Sequence, residues 1–179
     1  FFLGELFTDL PLPVDNQVSD HCGTCSACND ICPTQAFVRP NLLDATRCIS
    51  YLTIELRTSI PEEFRQAMGN RIYGCDDCQI VCPWNKFSQL SKEEDFTPRN
   101  NLDDAQLVDL FAWTEEEFLQ RTEGSAIRRI GYQCWLRNIA VALGNAPSSA
   151  EVITALRSRL NNCSAMVKEH IEWALQQHG

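Results

Sequence analysis

Apolar residues recur at helical spacing through the second half of the chain, and they predict a region that is helical throughout. Between residues 126 and 143, positions such as Ile127, Ile130 and Cys134 fall on one broad face. We expect Gly144 to end this helix, because glycine is common just beyond a helix C-terminus. The short helices and tight turns of residues 102–179 predict an all-α, HEAT-repeat-like domain.

Hydroxyl residues mark where the other helices of this half begin. A Ser or Thr at the N-cap accepts a hydrogen bond from the first turn, and a Glu three positions later completes a capping box. The sequence places such starts at Thr114 with Glu117, at Ser148 with Glu151, and at Ser164.

The pattern is less regular in the first half. Residues 44–57 contain no Gly or Pro and predict one helix. A second helix is predicted over residues 59–68, with Ser59 as N-cap, Glu62 as its capping-box partner and Gly69 at its end. The apolar residues 35–38 precede a Pro-Asn turn signal and predict a turn or a short strand.

Two stretches without a helical pattern suggest domain boundaries. Residues 1–18 predict an extended apolar piece that ends in a Pro-Leu-Pro triplet. The composition becomes polar between residues 85 and 101, and we place a linker at residues 91–101. The region between them, residues 19–90, holds eight of the ten cysteines and is predicted to be a separate domain.

The chain has 15 basic and 24 acidic residues, and its net charge of −9 disfavours generic binding to nucleic acid or anionic membranes. No apolar run approaches the length of a membrane span, and the first residues lack the basic flank of a signal peptide. The chain opens on apolar residues without Met, which suggests the end of a longer polypeptide. We expect a cytoplasmic protein with no membrane partner.

The cysteines carry the strongest chemical signal. Cys22, Cys25, Cys28 and Cys32 are spaced C-x2-C-x2-C-x3-C and precede Pro33, which is the bacterial ferredoxin pattern for [4Fe–4S] clusters. A zinc site needs only four ligands, typically in two separated pairs. Disulfides are disfavoured, because so short a loop removes little chain entropy and because a reducing compartment is expected.

A second run of Cys75, Cys78 and Cys82 keeps the last three positions of this pattern, but Ile72 stands where the first cysteine belongs. Cys48 is the nearby candidate for the missing ligand. Because the fourth cysteine of a run usually ligates the other cluster, we predict swapped ligand sets. They are Cys22, Cys25, Cys28 and Cys82 for cluster 1, and Cys32, Cys48, Cys75 and Cys78 for cluster 2. One cluster together with a zinc site is the alternative.

The other cysteines and the histidines are assigned no ligand role. Cys134 and Cys163 lie on apolar helix faces and are predicted to be structural. His21 precedes the first ligand and is either a turn residue in solvent or a neighbour that tunes the cluster. His170 and His178 are predicted to lie on helix surfaces.

Longer motifs surround the cysteines and extend into the helical half. Besides the first cysteine run with Pro33-Thr34-Gln35-Ala36, they are Arg47-Cys48-Ile49-Ser50-Tyr51-Leu52-Thr53-Ile54-Glu55, Gly74-Cys75-Asp76-Asp77-Cys78-Gln79, Cys82-Pro83-Trp84-Asn85, Leu136-Arg137-Asn138 and Ala142-Leu143-Gly144-Asn145. Together they resemble the epoxyqueuosine reductase family over nearly the whole chain.

The resemblance implies a reductase that converts epoxyqueuosine to queuosine in tRNA, the last step of queuosine biosynthesis, with two [4Fe–4S] clusters and cobalamin. It implies an α+β fold, mostly α, in which a dicluster ferredoxin-like core with a helical insertion precedes the helical domain. Residues 1–18 then correspond to the end of an upstream cobalamin-binding domain. This chain would be the electron-supplying and tRNA-facing C-terminal part, inactive alone because the upstream proton donor is absent.

Two groups of residues are candidates for contact with these partners. Ser50, Asp76 and Asp77 adjoin cluster 2 ligands and are predicted to face cobalamin, or else to be turn and helix-end residues in solvent. Arginines supply the charge that phosphate contacts need, and a solvated helix face is the alternative. The tRNA candidates are Arg57, Arg121, Arg128, Arg129 and Arg137.

Two other functions remain open at this point. One is a dicluster ferredoxin-like electron carrier whose helical module docks another oxidoreductase, and the other is a structural metal-binding module. The similarity outside the cysteine runs favours the reductase over the carrier. Iron with acid-labile sulfide would exclude the structural module. For the reductase we expect a low-potential electron donor as a partner and a monomeric state.

Overall fold

Helices account for nearly all the regular structure, which confirms the expected mostly α class. The computed structural model describes residues 4–19 and 21–179, and within them the only sheet has two strands. The α-helices and strands are α1 (Ala27–Ile31), β1 (Phe37–Arg39), β2 (Leu42–Leu43), α2 (Glu62–Met68), α3 (Asp77–Ile80), α4 (Leu107–Ala112), α5 (Glu115–Arg121), α6 (Gly131–Gly144), α7 (Ala150–Arg159) and α8 (Ala165–Gln177). A HEAT-like repeat among the helices stays a prediction.

The predicted short strand is part of a hairpin. β1 pairs antiparallel with β2 across a turn in which Asn41 has a positive φ of 59°, a conformation that asparagine tolerates. Residues 4–18, predicted to be extended, contain no helix or strand and are exposed. Residues 1–3 of that predicted segment lie outside the described residues.

The prediction of one continuous helix over residues 44–57 is wrong. The Asp44 carboxylate accepts the Thr46 N–H at 3.0 Å and caps a short 3-10 helix, Ala45–Arg47. Cys48 is then extended, with φ −71° and ψ 129°, so the helix cannot continue through it. A π-helix follows at Tyr51–Glu55, closed by the Leu56 N–H bonding to the Tyr51 carbonyl at 2.9 Å. Short polar side chains such as that of Asp44 form hydrogen bonds with nearby backbone N–H groups, which favours them at helix starts.

α2 also begins later than predicted. Its N-cap is Pro61, and proline disfavours helical backbone at the residue before it, which excludes a start at Ser59. The Ser59 hydroxyl instead donates to the Glu169 carboxylate at 2.5 Å. Gly69 ends α2 with φ 58°, as predicted.

Most of the predicted helix starts in the second half are confirmed. Thr114 and Glu117 form the capping box, and Ser164 accepts the N–H of Val167. The cap of α7 is Ser149, one residue after the predicted Ser148, and its hydroxyl accepts from Val152.

α6 differs from its prediction at both ends. A 3-10 turn, Ala126–Ile130, precedes it, and Gly131 with φ 75° is both the C-cap of this turn and the first residue of α6. Gly144 lies inside the helix rather than after it, and Asn145 is the C-cap. A Cβ on Gly144 would stand 2.5 Å from the Trp173 ring and 2.9 Å from the Ala174 Cα, so glycine there permits close packing of α6 on α8.

One hydrophobic core joins the helical half to residues 49–68. Ile49, Leu52, Ile60 and Met68 are buried in the same cluster as the central residues of α6 and α8. The predicted division between residues 19–90 and 102–179 therefore does not coincide with a gap in packing. None of the helices in the described part of the chain has the length and apolar character needed to cross a membrane.

Candidate iron–sulfur site

The two cysteine runs meet because each one contributes a short helix. α1 follows Cys25 and contains Cys28, while α3 follows Asp76 and contains Cys78. These two helices pack against each other. This packing brings the first cysteine run, around α1, next to the second run, around α3.

The cysteines predicted for cluster 1 surround one cavity. Its volume is about 150 Å³ and it opens at the surface, where Cys22 and Cys25 are exposed. His21 and Trp84 stand at its edge with ring centroids 6.0 Å apart. The cysteines in its wall are Cys22, Cys25, Cys28 and Cys82.

The cysteines predicted for cluster 2 surround a second, smaller cavity of about 60 Å³. Its wall is otherwise largely apolar, with Ala36, Phe37, Leu43 and Ile49 supplied by the hairpin and the start of the π-helical segment. The four cysteines are all half-buried: Cys32, Cys48, Cys75 and Cys78. Each cavity thus contains one complete predicted set.

The cysteines of the second cavity have surroundings suited to metal-bound thiolates. The Ala36 N–H donates to the Cys32 Sγ at 3.3 Å, a bond that favours a charged sulfur. Burial raises the pKa of the Cys75 and Cys78 thiols, so binding of a metal there must displace protons. All ten cysteines lie within the described residues, and none forms a disulfide.

The number of thiols in each cavity suits either a zinc site or a [4Fe–4S] cluster. Zinc draws its sulfur ligands to about 2.3 Å from one point. In residues 4–19 and 21–179, no three His, Cys, Asp or Glu side chains converge closely enough to hold one ion. Each cavity offers four cysteines, the ligand number of a [4Fe–4S] cluster.

The three candidate cobalamin residues are brought together beside the second cavity. Ser50, Asp76 and Asp77 line one open depression that also includes Cys75. The Ser50 hydroxyl accepts the Cys75 N–H at 3.0 Å and donates to the Cys75 carbonyl at 3.2 Å. Asp77 pairs with Arg71 at 2.5 Å, a partner that sequence reasoning missed, whereas Asp76 is exposed.

Four of the five candidate tRNA arginines are exposed. Arg57 donates to the carbonyls of Ile130 at 2.7 Å and Arg129 at 3.2 Å, and Arg129 pairs with Glu55. Arg128 and Arg129 occupy the 3-10 turn before α6. Arg121 lies on α5, away from this group in sequence, and pairs with Glu117 at 3.5 Å. Arg57, Arg128 and Arg129 therefore form a small basic surface where the π-helix approaches α6.

The prediction that Arg137 contacts tRNA is wrong. Its side chain is fully buried, and its guanidinium donates to the carbonyls of Leu52 at 2.8 Å, Leu56 at 2.8 Å and Thr58 at 2.6 Å. Burial lowers the pKa of Arg137, and no phosphate can reach it from solvent. Its helix is apolar on most sides, a signal in the sequence that an arginine there would be enclosed.

His170 is a second correction, because it is buried rather than on a helix surface. Its Nε2 accepts the Ile60 N–H at 3.1 Å, and its Nδ1 lies 2.7 Å from the Met166 carbonyl. His178 is half-buried and contacts the Leu143 carbonyl at 2.9 Å. Cys134 is buried, and its thiol donates to the Leu56 carbonyl at 3.8 Å.

Comparison with known proteins agrees with this arrangement. Residues 21–85 match the family described as a 4Fe-4S double cluster binding domain. Over 179 residues, the chain is 63% identical to the epoxyqueuosine reductase of Xanthomonas campestris, covering 100% of this chain and 50% of that protein. The chain is related to the epoxyqueuosine reductases. It spans about half the length of the curated relatives it matches.

Solved epoxyqueuosine reductases have the same fold over nearly all of this chain. A crystal structure of the selenomethionine-labelled enzyme matches with a TM-score of 0.84 at 33% identity, covering 94% of this chain and 45% of that one. A crystal structure of an epoxyqueuosine reductase with an epoxyqueuosine-modified tRNA-Tyr stem loop matches with a TM-score of 0.71 at 28% identity, covering 93% and 53%.

Proposed function

We propose that this chain is the electron-transfer and tRNA-facing part of a cobalamin-dependent epoxyqueuosine reductase. Each cysteine-lined cavity holds one [4Fe–4S] cluster, with the ligand sets predicted above. The observation that carries the proposal is the pair of cavities, each walled by four cysteines and joined through α1 and α3. Two clusters in one core supply single electrons at potentials that the protein sets.

The residues beside cluster 2 support contact with cobalamin. The depression lined by Ser50, Asp76 and Asp77 adjoins Cys75, so a corrin seated there would lie next to a cluster ligand. Ser50 fixes the Cys75 backbone, and the exposed Asp76 offers charge to a polar edge. Residues outside this chain would hold most of the cobalamin, which would supply the redox-active metal chemistry for the epoxide.

Arg57, Arg128 and Arg129 are assigned to tRNA phosphates. They are exposed and adjacent on a chain whose net charge is −9, so a local basic surface is the feature that phosphate binding requires. The tRNA-bound relative supports the substrate class. We further propose a monomer in the cytoplasm that receives electrons from a low-potential donor.

Turnover by the complete protein tests this function. The protein is incubated anaerobically with a tRNA stem loop containing epoxyqueuosine and a low-potential reductant, and its nucleosides are then analysed by mass spectrometry. Queuosine is expected only when cobalamin is present, and none is expected from residues 1–179 alone. Two intact clusters without conversion would instead favour the electron carrier, and zinc in place of iron would contradict both.

A further inference from the structure

Two adjacent residues of α6 reach the two backbone segments that lead to cluster 2 ligands. Arg137 donates to one carbonyl within the π-helix and to two that follow it, as described above. The Asn138 side-chain amide donates to the Thr53 carbonyl and to the Ile72 carbonyl, both at 2.9 Å. The first segment continues from Cys48, and the second leads to Cys75. Asn138 therefore joins them directly.

Arg137 orients this amide. The Asn138 Oδ1 accepts from the Arg137 Nε at 3.1 Å and Nη2 at 2.9 Å, which leaves both amide hydrogens for the two carbonyls. Both side chains are fully buried. A helix end leaves its last carbonyls without partners in the chain, and buried carbonyls without partners are costly. The pair satisfies the carbonyls of the π-helical segment from another helix.

Two hydroxyls continue the connection to the cluster ligand. Thr53 Oγ1 donates to the Ile49 carbonyl at 2.7 Å and accepts the Gly74 N–H at 2.9 Å. Ser50 then holds the Cys75 N–H and carbonyl. An unbroken series of hydrogen bonds runs from α6 to the backbone of Cys75.

We propose that Arg137 and Asn138 are positioning residues for cluster 2, which set the separation between the segments bearing Cys48 and Cys75. The proposal rests on the assignment of these cysteines to one cluster. It gives the helical half of the chain a role in the redox centre that is separate from binding tRNA. Loss of partners that orient metal ligands typically costs about 10- to 100-fold in metal affinity.

Asn145, the half-buried C-cap of the same helix, provides a control. Its side-chain amide also donates to two carbonyls, those of Arg65 at 2.8 Å and Gly69 at 3.1 Å, but these belong to α2 and its end. Both Asn138→Ala and Asn145→Ala remove two hydrogen bonds donated to carbonyls. Asn138→Ala also removes the two that Oδ1 accepts from Arg137. Only the first removes the connection between the Cys48 and Cys75 segments. A general loss of stability in Asn138→Ala, measured by urea unfolding, would affect both of its clusters rather than cluster 2 alone.

The test uses the complete protein carrying both clusters. Iron release to a chelator and the reduction potential of each cluster are measured, the latter by titration followed by EPR. In Asn138→Ala we expect cluster 2 to lose iron about tenfold faster or more, with a shifted potential, while cluster 1 is unchanged. Asn145→Ala should leave both clusters as in the parent. Equal effects of the two variants, or no effect of Asn138→Ala, would overturn the proposal.

A second variant covers the case in which Asn138→Ala does not fold. Thr53→Val keeps the side-chain volume and removes the hydroxyl that accepts the Gly74 N–H. It should also destabilise cluster 2 selectively, and an unchanged cluster 2 in this variant would count against the proposal. A parent protein lacking a second cluster would instead contradict the ligand assignment, so the two failures are distinguishable.

Discussion

Cys48 stands outside both ferredoxin-like runs, and its backbone explains how it can still reach the second cavity. It is extended between a 3-10 helix and a π-helix, at the point where a continuous helix was expected. This break separates Cys48 from the helical turn that follows and leaves its thiol in the cavity wall with Cys32, Cys75 and Cys78. The irregular backbone at residue 48 is therefore part of the site.

Replacing Cys48 with Ser should damage cluster 2 and spare cluster 1. Anaerobically purified parent should contain about eight iron atoms per chain, and Cys48→Ser about half as many. Iron analysis with EPR of the reduced protein measures both. Cys163→Ser is the control, because that thiol is half-buried outside both cavities. Full iron content with an unaltered EPR signal in Cys48→Ser would show that another residue completes the ligand set.

His170 should make the stability of the helical half depend on pH. Burial lowers its pKa from 6.5 to about 4. Below pH 6.5 the unfolded chain binds a proton that the folded chain does not, so stability is lost as the pH falls from 6.5 towards 4. By pH 5 the loss is about 2 kcal/mol.

Urea unfolding followed by tryptophan fluorescence measures this effect. The His170→Gln variant cannot titrate, so its unfolding free energy should vary less than that of the parent between pH 6.5 and 5. The neighbouring Glu169 has a lowered pKa because Ser59 and Arg65 donate to it. Its contribution to stability is lost mainly as the pH falls through its unfolded value of 4.5, below the measured range. Parallel pH profiles for the two proteins would exclude His170 as the cause.

The helices show which parts of the fold are determined by the local sequence. Capping residues predicted the starts of α5 and α8 because their bonds lie within one turn. The two cluster ligand sets stay a prediction, although the cysteines of each set line one cavity. The apolar residues around Arg137 on α6 indicated its burial, but its partners were not predictable, because they are carbonyls of the π-helical segment about 80 residues earlier in the chain. Contacts of that range depend on packing, which a local pattern does not record.

α6 and α8 form the most extensive helix–helix contact among the described residues, and Gly144 permits their close approach. Gly144→Ala would place a methyl group within 2.5 Å of the Trp173 ring and 2.9 Å of the Ala174 backbone. The helices must move apart, and overpacking of this kind costs about 1–3 kcal/mol. Gly4→Ala is the control, since a Cβ there meets nothing within 4 Å. Urea midpoints measure both, and a Gly144→Ala protein as stable as the parent would contradict the close contact.

Across the whole molecule, apolar burial is distributed very unevenly. The helical half and residues 49–68 share one hydrophobic core. Between residues 21 and 48, only Thr34 and Ala36 are buried, and no residue from 74 to 101 is buried. α1 and α3 have five and four residues, lengths at which an isolated helix is not stable in water. The cluster-binding part therefore lacks a hydrophobic core of its own.

Iron removal should therefore unfold one part of the chain and leave the other folded. Metal binding supplies folding free energy where a small domain cannot bury enough apolar surface. In chelated protein, amide hydrogens of residues 21–48 and 75–87 should exchange fast. Those of α6 and α8 should stay protected, because their packing involves no cysteine of either cavity. The π-helix Tyr51–Glu55 should also stay protected, because Arg137 and Asn138 bond its carbonyls from α6.

Hydrogen exchange followed by mass spectrometry, on the holo and chelated forms of the same preparation, locates this boundary. Peptides that end at Cys48 are expected to lose protection when iron is removed, whereas peptides that begin at Ser50 should keep it. Uniform loss of protection would mean that the helical half also depends on the clusters, and unchanged protection would mean that residues 21–48 are held by contacts other than iron. The predicted result places the boundary of cooperative folding between Cys48 and the π-helix. Cys48 depends on the cluster for its fixed position, whereas the π-helix that follows is held by hydrogen bonds from α6.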